Sequence, residues 1–409
     1  MAEESGVTRR NVLKSGIAAI ASAGTIASAF GQQSANQEDR SSSNPGPRNP
    51  GLASQNADSF MPPATDHGDE PAFKYSFSLS HNRTYNGGWA RQVTVRDFPI
   101  SRDLAGVNMR LTAGGIRELH WHVPAEWAYM IYGKARITAV DSQGRSFVQD
   151  VEQGDLWYFP SGIPHSIQGL APDGCEFLLV FYDGNFSEFD TFQISDWMAH
   201  TPREVLAKNF GVHAAAMDPI PAHELYIFQG TLPQSLTSDQ QASSSEGAVP
   251  TPYFFKLRSQ EPVKRTRGGE ARIADSKNFK ASTTVAAALV TVHPGGLREL
   301  HWHPNADEWQ YYISGKGRMT VFATGARART ADFEPGDVGY VQQTLPHYIE
   351  NTGETDLRFL EMFKSSFYQD LSLSEWLSHT PPELVMAHLN IDKATLDALP
   401  KEKLVIVPR

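Results

Sequence analysis

The phrase Gly114-Gly-Ile-Arg-Glu-Leu-His-Trp-His122, followed by Glu126, returns almost unchanged as Gly295-Gly-Leu-Arg-Glu-Leu-His-Trp-His303, followed by Glu308. A repeat this distant copies a whole folding unit rather than one turn of a solenoid, so it restricts the fold to two tandem domains. The offset between copies is 181 at the paired histidines, 182 from Glu126 to Glu308 and from His165 to His347, and 179 from Trp197 to Trp376. Copy two therefore gains one residue between its histidine pair and its glutamate, and copy one carries three extra residues between Phe181 and Trp197. In an extended strand, residues two apart share a face. His120 and His122 thus look into one interior while Trp121 turns outward, and His301, Trp302 and His303 repeat the arrangement. Each copy adds a later histidine in a turn-rich segment that begins at Gly154 or Gly336. Three imidazoles and a carboxylate converge twice, as His120, His122, Glu126 and His165 and as His301, His303, Glu308 and His347. Such a set leaves two positions of an octahedron open and suits Mn(II) or Fe(II), with zinc as a contaminant.

At 409 residues, each copy is long enough to bury its own core. The net charge of -10 and the lack of a basic tract argue against nucleic acid as a partner. Residues 1–30 contain Thr8-Arg-Arg-Asn-Val-Leu-Lys14, an uncharged stretch to Phe30 and a small-residue site at Ala27-Ser28-Ala29. This reads as a cleaved twin-arginine export signal, which places the mature protein in the periplasm or outside the cell. The stretch is Ala-rich and falls short of the roughly 20 strongly apolar residues of a spanning helix, so no stable membrane anchor is expected. Residues 31–65, rich in Ser, Asn, Gln, Pro and Gly, read as a disordered tether. Cys175 is the only cysteine, which rules out an intrachain disulfide and leaves metal ions as the available cross-links.

From Phe73 the chain becomes a series of short alternating segments separated by Gly, Pro and Asp turns, continuing to about Asp183. Helical signals follow only at Ser195-Asp-Trp-Met-Ala-His200 and at Thr201-Pro-Arg-Glu204, where Thr201 stands as a cap before Pro202; copy two repeats the latter as Thr380-Pro-Pro-Glu383. Many strands with a helical coda predict an all-β fold of two double-sheet barrels, each followed by a short helical segment. The expected boundaries are 66–235 for the first domain, 236–250 for a linker and 251–409 for the second domain.

The pattern Gly114, His120, His122, Glu126 and Gly133 resembles the first cupin motif, and Gly154, Pro160, Gly162 and His165 resemble the second. Copy two keeps Gly295, His301, His303, Glu308 and Gly315, then Gly336, His347 and Asn351, with Gln342 and Thr344 where Pro and Gly are usual. With its Arg-x-x-His-x-His strand and its Ser187-Glu-Phe-Asp-Thr-Phe192 segment, the chain resembles a bicupin of the oxalate decarboxylase family over roughly residues 70–400.

The resemblance implies two cupin jelly-roll barrels, two manganese(II) ions per chain, dioxygen as a redox cofactor, oxalate as substrate, formate and carbon dioxide as products, and a homo-oligomer, a hexamer. It implies that Arg117, and Arg298 in copy two, polarise the bound dianion. Strand parity points Arg117 away from His120, so that role requires a bulge or twist near Gly115. It further implies that Glu188, within the three-residue excess of copy one, is carried on a lid, accepts the proton of mono-oxalate and returns a proton to carbon. The family has small polar residues after this glutamate, where this chain has Phe189 and Asp190. Glu361 stands where copy one has Leu179; its burial would raise its pKa as in a proton donor, and an ion pair with Arg298 is the other reading. An oxalate oxidase releasing hydrogen peroxide, an iron dioxygenase acting on aromatic diols and a non-enzymatic metal-binding bicupin remain open alternatives.

Overall fold

A computed structural model describes residues 49–409. The expected export signal and the first part of the expected tether lie outside them. In the first barrel, strands Gly88–Val93, Ala105–Leu111, Cys175–Phe181 and Leu156–Phe159 form one layer, and Gly115–Trp121, His165–Gly169 and Ser146–Glu152 form the other. The 15-residue strand Glu126–Val140 serves both: its first half pairs with Leu156–Phe159 and its second with Ser146–Glu152. In the second barrel the chain breaks at that bend into Glu308–Ser314 and Gly317–Ala323, which gives separate sheets of seven and six strands. The fold is the all-β pair of double-sheet barrels that the repeat predicted.

The strand Ala286–Val292 is buried along its whole length. One face packs inside its own barrel with Met319, Ile349 and Phe359, while Ala287 and Leu289 join Trp309 and Tyr311 in a core continuous with the first barrel. Contact there is close: a Cβ on Gly106 would stand 2.6 Å from the Trp309 ring. The glycine lets the two outer faces meet.

The barrels also exchange edge strands near the expected boundaries. Lys74–Ser76 pairs with Asp337–Val341 of the second barrel, whereas Phe254–Phe255 pairs with Leu156–Phe159 of the first. Each exchanged strand satisfies backbone groups that an edge would leave unpaired. The expected linker carries the helix Leu236–Ala242, tied to the first barrel by an ion pair from Asp239 to Arg136. The later part of the expected tether is folded too: Asp58 is buried against Arg318, and Asp66 accepts from the Thr330 amide at 2.8 Å and from its hydroxyl at 2.6 Å.

Helices Ile194–Ala199 and Arg203–Phe210 follow the first barrel, and Leu373–Ser378, Pro382–Leu389 and Lys393–Ala398 the second. Thr201 does not cap. Its hydroxyl donates to the Trp197 carbonyl at 2.8 Å and closes the preceding helix, leaving Pro202 at the cap position. Among the described residues no helix is long and apolar enough to cross a membrane.

Candidate metal centres

Strand pairing brings the histidines together. His120 lies directly across from His165, and His301 from His347. His122 and His303 follow the same strands, while Glu126 and Glu308 begin the next ones. All eight side chains are buried, and within each group of four the ligand atoms lie within 4.8 Å of one another.

The rings are oriented by their far nitrogens. His120 Nδ1 donates to the Glu118 carbonyl at 2.7 Å, His122 Nδ1 to Pro124 at 2.6 Å and His165 Nδ1 to Ile163 at 2.7 Å. In the second barrel the acceptors are Glu299, Gln369 and Leu345, at 2.6, 2.8 and 3.0 Å. A backbone carbonyl can only accept, so each Nδ1 carries the proton and each Nε2 turns a lone pair toward the centre. Nε2 of His165, His301, His303 and His347 and Oε2 of Glu308 are buried without a hydrogen-bond donor. His347 Nε2 and Glu308 Oε2 nevertheless approach to 2.8 Å. Acceptors facing acceptors in a buried pocket fit a cation between them.

Burial, then Arg117, then His165 and His122 hold the His120 imidazole well below its ordinary pKa, in the neutral form that binds metal. Burial pushes Glu126 up, but His165 and His122 override it and leave the carboxyl well below its usual range. The glutamates are steadied differently in the two barrels. Trp157 Nε1 donates to Glu126 Oε1 at 2.9 Å, whereas Gln310 Nε2 donates to Glu308 Oε1 at 2.7 Å. Trp157 faces Ala128 across the strands, and Gln310 faces Gly339, where a Cβ would stand 2.6 Å from the Gln310 side chain. A large residue opposite a small one fills the same space from opposite strands.

Arg117 is fully buried and reaches the interior because the register shifts between Arg117 and His120, as it does between Arg298 and His301. A bulge was required; it lies beyond Gly115, next to the histidine. Arg117 Nε and Nη2 hold Glu188 Oε1 at 2.9 and 2.8 Å, and the remaining donors meet Thr191 and Gln193. Glu188 is buried in the short 3-10 turn Glu188–Asp190, with its Oε2 unpartnered. Gln92 accepts from the Glu188 amide at 2.9 Å and donates to Ser187 Oγ at 3.2 Å.

Arg298 is held otherwise, with Glu361 at 3.1 Å and the Tyr368 hydroxyl and Asp370 both at 2.8 Å. Burial raises the Glu361 pKa, Arg298 opposes it and Glu308 adds to it. Both expectations for Glu361, a raised pKa and an Arg298 partner, describe one residue.

Sequence reading missed Trp157, Gln310 and a pair of structural acids. Glu118 accepts from the Ser195 hydroxyl and the Leu225 and Tyr226 amides, and Glu299 from the Ser372 hydroxyl and the Val405 amide. Both acids stand in the repeated phrase, so the repeat itself was an available signal.

Two β-barrels, each enclosing three histidines and a glutamate, define a two-domain cupin. The cupin family matches twice, over residues 77–218 and 255–397. Oxalate decarboxylase OxdC of Bacillus subtilis (strain 168) is 57% identical over 363 residues, covering 89% of this chain and 94% of the relative. A probable oxalate decarboxylase of Arthroderma benhamiae is 43% identical over 350 residues, covering 84% and 85%. A solved structure from work on the Mn(II) centres of Bacillus subtilis oxalate decarboxylase superposes with a TM-score of 0.87 at 56% identity, covering 89% of this chain and 96% of that one. The chain belongs to the bicupin oxalate decarboxylase family.

Proposed function

We propose that this protein is a manganese-dependent oxalate decarboxylase that converts mono-oxalate to formate and carbon dioxide in its first barrel. The observation that carries the reading is the buried Glu188 carboxylate held on Arg117 beside the His120, His122, Glu126 and His165 group. Manganese(II) held by His120, His122, Glu126 and His165 would supply, with dioxygen as redox partner, the reversible one-electron oxidation that weakens the carbon–carbon bond. Arg117 offers a fixed positive fork to the bound oxalate. Glu188, once turned from Arg117, takes the acidic proton of mono-oxalate; carbon dioxide leaves, and a proton returned to the remaining carbon gives formate. Atoms balance, since one hydrogen oxalate gives one formate and one carbon dioxide.

The second barrel is less suited to turnover. Arg298 is already engaged by Glu361 and Asp370, and the neighbouring Gln369 carbonyl orients His303, so this segment cannot lift without disturbing a candidate ligand. We assign that site a structural role. Metal analysis of purified protein together with formate, carbon dioxide and peroxide assays on oxalate tests the proposal: one formate per oxalate is expected. Peroxide as the main product would make the protein an oxidase, and bound metal without turnover would make it a binding protein.

The same reading includes export by the twin-arginine route and assembly into a homo-oligomer. The motif at Arg9 and Arg10 supports the first, and the exposed Trp197 and Trp376 on the helical codas support the second. Because that route carries folded proteins, replacing both arginines by lysine is expected to retain metal-filled precursor inside the cell; normal external yield would refute it.

A further inference from the structure

The segment bearing Glu188 has an aromatic residue, Phe189, where the family has a small polar one, and that ring has a partner. Phe189 is 60% exposed, yet the Arg83 guanidinium lies over it at 4.0 Å. The same guanidinium lies over Tyr226 at 3.9 Å, and Arg117 lies over Tyr226 at 4.4 Å. Ring and cation therefore alternate from the exposed tip inward: Phe189, Arg83, Tyr226, then the guanidinium that holds Glu188. A cleft lined by His81, Arg83, Gln92, Glu188, Phe189 and Tyr226 opens beside this ladder. Gln92 secures the start of the segment through Ser187 and the Glu188 amide, whereas Arg83 is the residue in contact with its tip.

The second barrel separates this ladder from the needs of the fold. Lys264 and Val405 occupy the positions of Arg83 and Tyr226 there. Val405 adopts a φ of 63° where Tyr226 has 55°, and its carbonyl accepts from Arg298 as that of Tyr226 does from Arg117. The same left-handed backbone turn forms without an aromatic ring, so the turn does not require the Tyr226 side chain. What accompanies the ring, in the first barrel alone, is a segment carrying Glu188.

We propose that Arg83 is a positioning residue that latches the Glu188 segment closed by gripping Phe189, and so sets how long the carboxylate stays on Arg117. The proposal rests on the reading of Glu188 as the proton carrier. A cation over an aromatic face is attracted by the ring quadrupole, and the attraction grows when water is excluded from one side.

Hydrogen–deuterium exchange over residues 183–191 of the full, metal-loaded protein tests it, using Phe189→Leu, Arg83→Gln and the double variant. Each single change is expected to speed exchange by about 2- to 30-fold, the range of a partly buried cation–π contact, with the double variant no faster than the faster single. Exchange in strand Gly115–Trp121 is expected to stay as in the parent, and with oxalate the peroxide share is expected to rise in both single variants. Unchanged exchange in Phe189→Leu, additive effects in the double variant, or faster exchange with an unmoved product ratio would overturn the latch. Phe189 is exposed, so its variant remains informative even if Arg83→Gln fails to fold. Exchange is read without substrate; a parent protein inert toward oxalate would therefore remove the proposed function while leaving the latch to be judged separately.

Discussion

Arg117 keeps a full positive charge where no water reaches it, which makes its partners decisive: Glu188, Thr191 and Gln193 take the place of solvent. In the proposed reaction, loss of carbon dioxide draws on Arg117 and the metal group, whereas formate needs a proton delivered to carbon. Glu188→Ala is therefore expected to reduce formate production by roughly 10²- to 10⁴-fold, while peroxide becomes a larger share of the residual turnover. Formate and peroxide measured in the same reaction check it. Retained formate in Glu188→Ala, with loss in Glu361→Ala, would move the chemistry to the second barrel. At this scale the sequence was most legible where chemistry repeats. The histidine pairs followed from strand periodicity, and parity showed that Arg117 needed a bulge. Trp157 and Gln310 stayed hidden because they do the same job from opposite strands, and only the register between Ala128 and Trp157 or Gln310 and Gly339 exposes the exchange. Thr344 shows the opposite case: it takes a φ of 69° where copy one has Gly162 at 73°, so the turn before His347 keeps its shape despite its looser motif.

Among the elements, the segment before the first barrel behaves least as its composition suggests. Polar, Gly- and Pro-containing sequence reads as tether when burial partners are unknown, and those partners, Arg318 and Thr330, lie in the other half of the chain. The same blindness hid the exchanged edges, since a short strand does not announce which barrel it will edge. Asp58 gives this docking a pH dependence. Burial, then the neighbouring Asp332 carboxylate, raise its pKa from an ordinary 3.8 to about 6, although Arg318 pulls it down. A carboxyl raised in the folded state contributes stability that is full below the unfolded pKa and is lost as pH rises through the folded value. The segment from Ser54 to Asp66 is thus expected to hold most firmly below about pH 4 and to loosen as pH passes about 6. Exchange of its amides, corrected for intrinsic rates and compared with Asp58→Asn, tests this. A wild-type profile as flat as that of the variant would refute it.

For the molecule as a whole, the question is whether two similar barrels behave as two domains. Their edges are exchanged at Lys74–Ser76 and Phe254–Phe255, and Trp309 packs so closely on Gly106 that neither outer face is complete alone. Unfolding one barrel strips an edge strand and a buried face from the other, which predicts one cooperative transition. Each metal group ties together strands from both layers of its barrel, and metal bound only to the folded state adds to its stability. His120→Ala and His301→Ala are each expected to lose about one metal ion per chain and to lower the midpoint of the same transition. Each kcal/mol lost shifts the midpoint of a single cooperative unit of this size by roughly 1–2 °C. Activity separates the variants where stability does not: His120→Ala is expected to abolish formate production, and His301→Ala to retain it below the shifted midpoint. Calorimetry with metal counts on both variants decides the matter. Two resolved transitions, only one of them moved by each substitution, would show that the exchanged strands do not couple the barrels, and loss of formate in both variants would show that the second metal is more than a cross-link.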